Sequence, residues 1–445
     1  MTLNNRDFLG HPKGLFLLFS SELWERFSFY VLRAVLVLYL TDATANGGLG
    51  WTKSDALKLY GLYTGLVYLT PIIGGWLADS FFGRRKSVVI GAFLMASGQF
   101  ALAMPDDFFP FGKSIVLYAG LGLLICGNGL FKPNISTMVG DLYPAADDRR
   151  DSAFTIFYMG INIGAFCSGI AAGFTTAAYS FKAAFVLAGA GMLIALFLQA
   201  FLGNRYLGDI GKAPAKFEKR SAATSVKLTK KEINRLTVIF ILGIFTVVFW
   251  AGFEQAGGVM TLFAAENTNR VIAGRAVPPT FFQSLNPLFI ITFAPVLAWL
   301  WVRPGGRDPS FVAKFVWALI FSGAGFLLMT GAVKQSETAN LASPLWLVGT
   351  YFLHTIGELC LSPTGLSMVT RLSPARFSSM MMGIWFGFSA VANFMAGWIG
   401  SYVEDFGAGA LFSGFAAVSF IAAGVLFGQF LPGGIARIFV TFNSL

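Results

Sequence analysis

Glu22, Glu25, Arg26 and Arg33 fall inside a run, Gly14 to Tyr39, that otherwise has the length and apolar character of a membrane-spanning helix. Each charge near the centre of such a helix costs on the order of 2.5–3.5 kcal/mol on insertion, so it is retained only where it is paired, faces water or carries an ion. At helical spacing Glu22, Arg26, Tyr30 and Arg33 form one stripe, with Glu25 beside it. A buried carboxylate exchanges its proton when a cationic partner arrives or leaves. That chemistry is proton coupling, and Glu22, Glu25 and Glu254 are the candidate carriers. The alternative for the first-helix charges is an ion network that only fixes helix packing.

Such a stripe needs a membrane protein around it, and the composition supplies one. Of 445 residues, 56% are hydrophobic and only 12% charged, and a mean hydropathy of +0.68 exceeds what a soluble chain of this size needs. Forty-eight Phe, ten Trp and fifty-one Gly suit lipid-facing rings and close helix approach. Apolar segments of about 20 residues fall at roughly 14–40, 56–78, 86–104, 114–139, 153–176, 182–202, 235–262, 278–302, 312–333, 344–369, 379–402 and 408–431. The class is therefore an all-α membrane protein of about twelve spans.

The net charge of +10 does not point to nucleic acid, because the Lys and Arg lie in short loops between apolar runs. With the amino terminus in the cytoplasm, 22 of them are cytoplasmic, seven outside and three within helices, which predicts both termini inside. The first apolar run is interrupted by charge and lacks a small-residue cleavage site, so it does not read as a signal peptide. Cys126, Cys167 and Cys360 have neither metal-ligand nor disulfide spacing and read as packing residues. No metal or other cofactor is expected. An enzyme is not expected either, since nucleophile elbow, metal constellation and paired intramembrane aspartates are all missing from the pattern.

The polar stretch Gly203 to Asn234 divides the chain into residues 1–202 and 235–445, each with six spans, and reads as a cytoplasmic linker. An internal repeat supports the division. PNISTMVGDLYP (Pro133 to Pro144) and PTGLSMVTRLSP (Pro363 to Pro374) share Pro, Met-Val, Leu and Pro at the same offsets, and Gly127-Asn128 aligns with Gly357-Glu358. Beyond the loop, a shift of three residues aligns Tyr158 with Trp385. Parallel repeats of this kind place a binding site at their interface near the midplane.

The turn Gly75-Trp-Leu-Ala-Asp79-Ser-Phe-Phe-Gly83-Arg84-Arg85-Lys86 resembles the signature loop of the major facilitator superfamily. Within that superfamily the run ExxERFxFY resembles the proton-dependent oligopeptide transporters, the POT or PTR2 family. Further segments agree: FKPNIS with Lys132, FYMGINIGA with Tyr158 and Asn162, FEQAG with Glu254, QSLNPLF with Gln283 and Asn286, and GELCLSPTG with Glu358 and Ser362. The resemblance spans almost the whole chain. It implies the major facilitator fold and proton-driven import of di- and tripeptides, with the ExxER motif (Glu22, Glu25, Arg26) joined to proton coupling.

Depth along the helices gives an independent reason. At about 1.5 Å per residue, Arg33 and Glu254 each lie roughly 28 Å from the cytoplasmic starts of their spans and are expected to meet near the outer mouth. Lys132, about 10 Å from the cytoplasmic end of its helix, lies near the depth of Glu22 and Glu25, and Glu358 is within a turn or two of it. These four residues are the candidate gates, one pair closing while the other opens. The cations of the first half and the carboxylates of the second suit a zwitterion. Its carboxylate is expected toward Arg33 and Lys132, its ammonium toward Glu358, and its amide on Asn162 and Asn286. Tyr30, Tyr68 and Trp385 are expected to line side-chain pockets. Terminal and backbone contacts are common to all dipeptides, so specificity should be broad.

Two departures from the resemblance stand out. The linker is too short and polar for the extra helix pair of many bacterial members. The helix 2 histidine of animal members is missing, since the histidines are His11 and His354, and the segment after helix 9 leaves no room for their large outer domain. A multi-pass, monomeric protein of a prokaryotic inner membrane is expected, with lipid, protons and peptides as partners. The competing readings are a facilitator-type transporter of another small solute, such as nitrate or a drug, and a peptide sensor without flux. His354, one turn before Glu358, is a further titratable candidate. Peptide preference and proton stoichiometry are not readable.

Overall fold

The computed structural model describes residues 7–105, 113–144, 147–214, 228–302, 309–374 and 377–428. Of the basic residues counted for topology, Arg303, Arg307, Arg376 and Arg437 lie outside them, as do Arg6 and the linker residues 215–227. Ten of the described helices are long and apolar enough to cross a membrane. Large apolar side chains such as Trp76, Phe93, Phe201, Ile244 and Phe427 stand more than a third exposed along them, a surface that suits hydrocarbon. Two further helices, α1 (Lys13–Thr41) and α12 (Pro344–Leu372), have 29 residues each. Both are long enough to span, and charge and polar side chains keep them out of the apolar set. The chain divides into two compact units, one of Met1–Trp51 with Leu66–Ala222, the other of Thr52–Gly65 with Ala223–Leu445.

The first unit holds α1, Leu66–Leu77 of α2 (Lys53–Leu77), α3 (Arg84–Ala103), α4 (Lys113–Asp141), α5 (Arg149–Ala178), α6 (Phe181–Phe197) and the short α7 (Gly203–Leu207). Helix α1 packs on α5 and α6, and α3 packs on α4 and α6. Glycine lets backbones meet: a Cβ on Gly98 of α3 would stand 2.7 Å from the Gly120 carbonyl of α4. Such approach replaces the hydrophobic drive that lipid removes. Helix α2 ends in a π turn, Ala78–Phe82, and Gly83 at φ 76° turns the chain directly into α3. There Arg84 bridges Asp79 (3.3 Å) and Asp141 at the end of α4 (2.7 Å).

The stretch read as a linker opens with ordered structure. Helix α7 follows α6 through a second π turn, Leu198–Leu202, and Leu207 is buried. The Arg85 amide donates to the Gly211 carbonyl (2.9 Å) and its guanidinium to that of Gly208 (3.2 Å). A further contact joins the chain before α1 to the α4–α5 loop. His11 Nδ1 lies 2.8 Å from the Tyr143 hydroxyl. Arg149 stacks over Tyr143 and pairs with Asp7 (3.1 Å) and Asp147 (2.9 Å). Burial pushes Tyr143 up to about 12, and the hydrogen bonds from Arg149 hold Asp147 below its ordinary 3.8.

The second unit holds Lys53–Gly65 of α2, then α8 (Lys230–Phe253), α9 (Val259–Glu266), α10 (Leu285–Val302), α11 (Phe311–Ala339), α12, α13 (Ser378–Gly400) and α14 (Val403–Gly428). A capping box, Thr229 with Glu232, starts α8, satisfying two amides that the first turn leaves open. The seventh span is broken: a 3-10 turn at Glu254–Gly257 separates α8 from α9. A small hairpin, β1 (Val271–Ile272) with β2 (Arg275–Ala276), follows. Phe249, Phe315, Leu319, Met368 and Trp385 anchor the core. Helices α4 and α12, which carry the sequence repeat, are both 29 residues long with an internal proline, Pro133 and Pro363.

Candidate functional site

In the first unit the α1 charges meet as the helical spacing requires. Arg26 Nε lies 3.3 Å from Glu22 Oε1, one turn earlier. Its guanidinium grips Glu25 with two donors, Nη2 to Oε1 at 2.5 Å and Nε to Oε2. All three side chains are buried. Two carboxylates thus share one guanidinium. Removing either partner of such a group strands a charge at about 3–5 kcal/mol. Asn128 of α4 adds a hydrogen bond to Glu25 (3.1 Å).

The neighbouring cations lie over aromatic faces. Lys132 Nζ is 4.5 Å from the Tyr68 ring centre, and the Arg33 guanidinium is 5.6 Å from that of Tyr30, contacts worth about 0.5–2 kcal/mol. Asn162 donates to the Tyr158 carbonyl of its own helix (3.0 Å), and the Tyr158 side chain is exposed.

In the second unit Asn286 of α10 donates to Glu358 of α12 (2.8 Å) and reaches Thr355 (3.0 Å). Gln283 donates to Thr261 of α9 (2.8 Å), whose hydroxyl bonds the Ala256 carbonyl (2.7 Å). This ties the start of α10 to the break in the seventh span. Glu254 sits in that break and is buried. Ser362 is half-buried on α12.

Trp385 belongs to the packed core, its ring 6.3 Å from those of Phe315 and Phe388. His354 is buried too, its ring 4.7 Å from Phe326 and its Nε2 3.3 Å from the Ser322 carbonyl. Cys360 is packed, whereas Cys126 and Cys167 are exposed. Among the described residues no group of His, Cys, Asp and Glu is placed to hold a metal. The four gate candidates divide by unit, Arg33 and Lys132 in the first, Glu254 and Glu358 in the second.

Sequence reasoning missed a second polar stripe on α1. Ser21, Glu25 and Ser28 recur at i, i+4 and i+7, and each takes a side-chain amide from a different element. Gln199 donates to Ser21 (2.8 Å), Asn128 to Glu25 (3.1 Å) and Gln99 to Ser28 (3.2 Å). The spacing was visible. The amides, scattered over a hundred residues, were not visible as a group.

The family model described as "PTR2: POT family" matches residues 85–207 and 212–412. The "Peptide transporter YePEPT" of Yersinia enterocolitica is 35% identical, the match covering 91% of this chain and 90% of the relative. The "Di-/tripeptide transporter" of Lactococcus lactis subsp. cremoris is 34% identical over 86% and 87%. A crystal structure of a peptide transporter POT mutant in complex with alafosfalin superimposes with a TM-score of 0.88 at 35% identity, covering 98% of this chain and 97% of that one. The fold is that of these transporters, and the relatives are transporters rather than enzymes. Matched by the family model over most of its length and by relatives nearly end to end, the chain belongs to the POT family.

Proposed function

We propose that this chain is a proton-coupled symporter of a bacterial inner membrane, both termini cytoplasmic, that imports di- and tripeptides by alternating access. The observation that carries the reading is the buried α1 cluster, where Glu22 and Glu25 share Arg26. Two carboxylates against one guanidinium leave room for one more positive charge, and a proton is the smallest that fits. The printed names of the relatives support peptides as the cargo.

In this reading the peptide carboxylate lies toward Arg33 and Lys132 and its amine toward Glu358, which Asn286 orients. Asn162, Gln283 and Ser362 supply polar contacts, and Tyr30, Tyr68 and Tyr158 shape the pockets. Glu254 works with the ExxER residues in coupling. The six-span halves, residues 1–202 and 235–445, rock about the site as a monomer surrounded by lipid, joined through 203–234.

Proteoliposomes test it. An imposed proton gradient should drive accumulation of labelled dialanine, with competition by di- and tripeptides and none by amino acids or nitrate. Glu22→Gln or Glu25→Gln should abolish gradient-driven uptake and spare counterflow exchange. Undiminished accumulation in both variants would overturn the coupling assignment. Binding without accumulation would make the protein a sensor, and competition by nitrate a facilitator of another class.

A further inference from the structure

The 3-10 turn Glu254–Gly257 in the seventh span is gripped from several helices of the second unit. A helix interrupted in this way leaves carbonyls off its ladder, and that of Ala256 takes two side-chain hydroxyls. Thr261 of α9 donates to it at 2.7 Å and Tyr351 of α12 at 3.4 Å. The Thr261 hydroxyl, its one proton committed, accepts from Gln283 (2.8 Å) in the turn Pro279–Ser284 that leads into α10. On the other flank Gln255 directs its amide protons at two carbonyls, those of Ala251 (3.2 Å) and of Ala396 on α13 (2.8 Å). Thr261, Tyr351 and Gln255 are at most 4% exposed.

A 3-10 segment has poorer internal hydrogen bonds than an α-helix, so contacts from outside decide how this one sits. Glu254 is its first residue. The same neighbouring helices carry the Asn286–Glu358 pair. Asn286 follows Gln283 by three residues, and Glu358 follows Tyr351 by seven, two turns along one face of α12. Thr355 lies between these last two, donating to the Tyr351 carbonyl (2.7 Å) and accepting from Asn286 (3.0 Å). Two routes from the Ala256 carbonyl, one through α10 and one through α12, thus close on the Glu358 carboxylate.

We propose that Thr261, Tyr351 and Gln255 are positioning residues for Glu254: they clamp the turn that bears it and hold that turn in register with the helices that carry Glu358. None of the three has to touch peptide or proton. A shift of α10 or α12 at Glu358 pulls on the Ala256 carbonyl, and Glu254 moves with its turn. The consequence for transport rests on the symport reading above, whereas the clamp itself does not.

Two measurements separate these parts. Thr261→Val keeps the side-chain shape and loses the donor, so amide exchange at residues 254–258 should quicken roughly tenfold, the weight of one buried hydrogen bond. Gln255→Leu should do the same from the other flank, and Thr261→Ser should exchange like the unaltered protein. Unchanged exchange in both the valine and the leucine variants would overturn the clamp whatever the protein transports. In proteoliposomes Thr261→Val and Gln255→Leu should each lower gradient-driven dialanine accumulation roughly tenfold, with counterflow exchange and its KM within about twofold. Tyr351→Phe, which loses a longer contact, should lower it less, and Thr261→Ser should retain it. Equal loss of driven uptake and exchange, loss of neither, or a serine variant as impaired as the valine one would overturn the positioning role. Failure of the unaltered protein to respond to the gradient would instead overturn the symport reading.

Discussion

The Asn286 side-chain amide stands 2.8 Å from the Glu358 carboxylate, linking α10 to α12 within the second unit. An amide that donates to a carboxylate fixes where its charge points. Hydrogen bonds to charged groups contribute about 1.5–3 kcal/mol. Asn286→Leu should therefore weaken dipeptide binding roughly tenfold or more by calorimetry, with little change in thermal stability. An unchanged Kd would remove Glu358 from substrate recognition.

Arg26 neutralises two buried carboxylates at once. Arg26→Leu should destabilise the protein by about 3–5 kcal/mol and lower the melting temperature by roughly 10 °C. The double variant with Glu25→Leu, which removes a stranded charge, should recover part of the loss. A single variant as stable as its parent would contradict the burial of the cluster.

A Cβ on Gly74 of α2 would collide with the Gly129 carbonyl of α4, whereas one on Gly122 meets nothing within 4 Å. Gly74→Val should abolish folded expression in a fluorescence size-exclusion assay, with Gly122→Val close to normal. Equal yields would sink the close α2–α4 approach.

Asp147 ties the α4–α5 loop to the chain before α1 through Arg149. Its acidity is held below the ordinary 3.8 in the folded protein, so the stabilisation is present above that value and lost as pH falls through the folded one. Amide exchange at residues 7–11 and 147–152 should rise below about pH 4. Asp147→Asn should show the same fast exchange at pH 7. A flat profile would mean that the contact does not depend on this charge.

His354 is enclosed by Phe326 and the Ser322 carbonyl. His354→Leu should keep gradient-driven uptake within about twofold and leave its pH profile in place, at a stability cost of about 1 kcal/mol. A displaced profile would give the imidazole a part in coupling.

Where the sequence carried side-chain periodicity, the architecture was legible in it. The Glu22–Arg26 pair follows from four-residue spacing, and the Pro133 and Pro363 repeat marks two helices of equal length. Backbone events left weaker traces. The break at Glu254–Gly257 was read as continuous helix because the apolar runs on either side outweigh its Glu-Gln pair, although Gly257-Gly258 was a visible warning. The docking of residues 208–211 on Arg85 uses carbonyl acceptors, which any residue supplies, and a lysine-rich composition concealed it. Trp385 shows a third limit, since an aromatic that fills a core and one that lines a cavity have the same signature.

The two polar stripes of α1 bear on how the protein is made. A helix that is charged along one side and hydroxylated along the next offers lipid only the remaining side, where Leu23, Trp24, Phe27 and Val31 fall. It is a poor candidate for independent release into the bilayer. Its shielding arrives only with Gln99, Asn128 and Gln199, between about 70 and 180 residues further along the chain. Biogenesis of the first unit is thus committed to holding α1 at the insertion machinery until α3, α4 and the π turn after α6 have been synthesised.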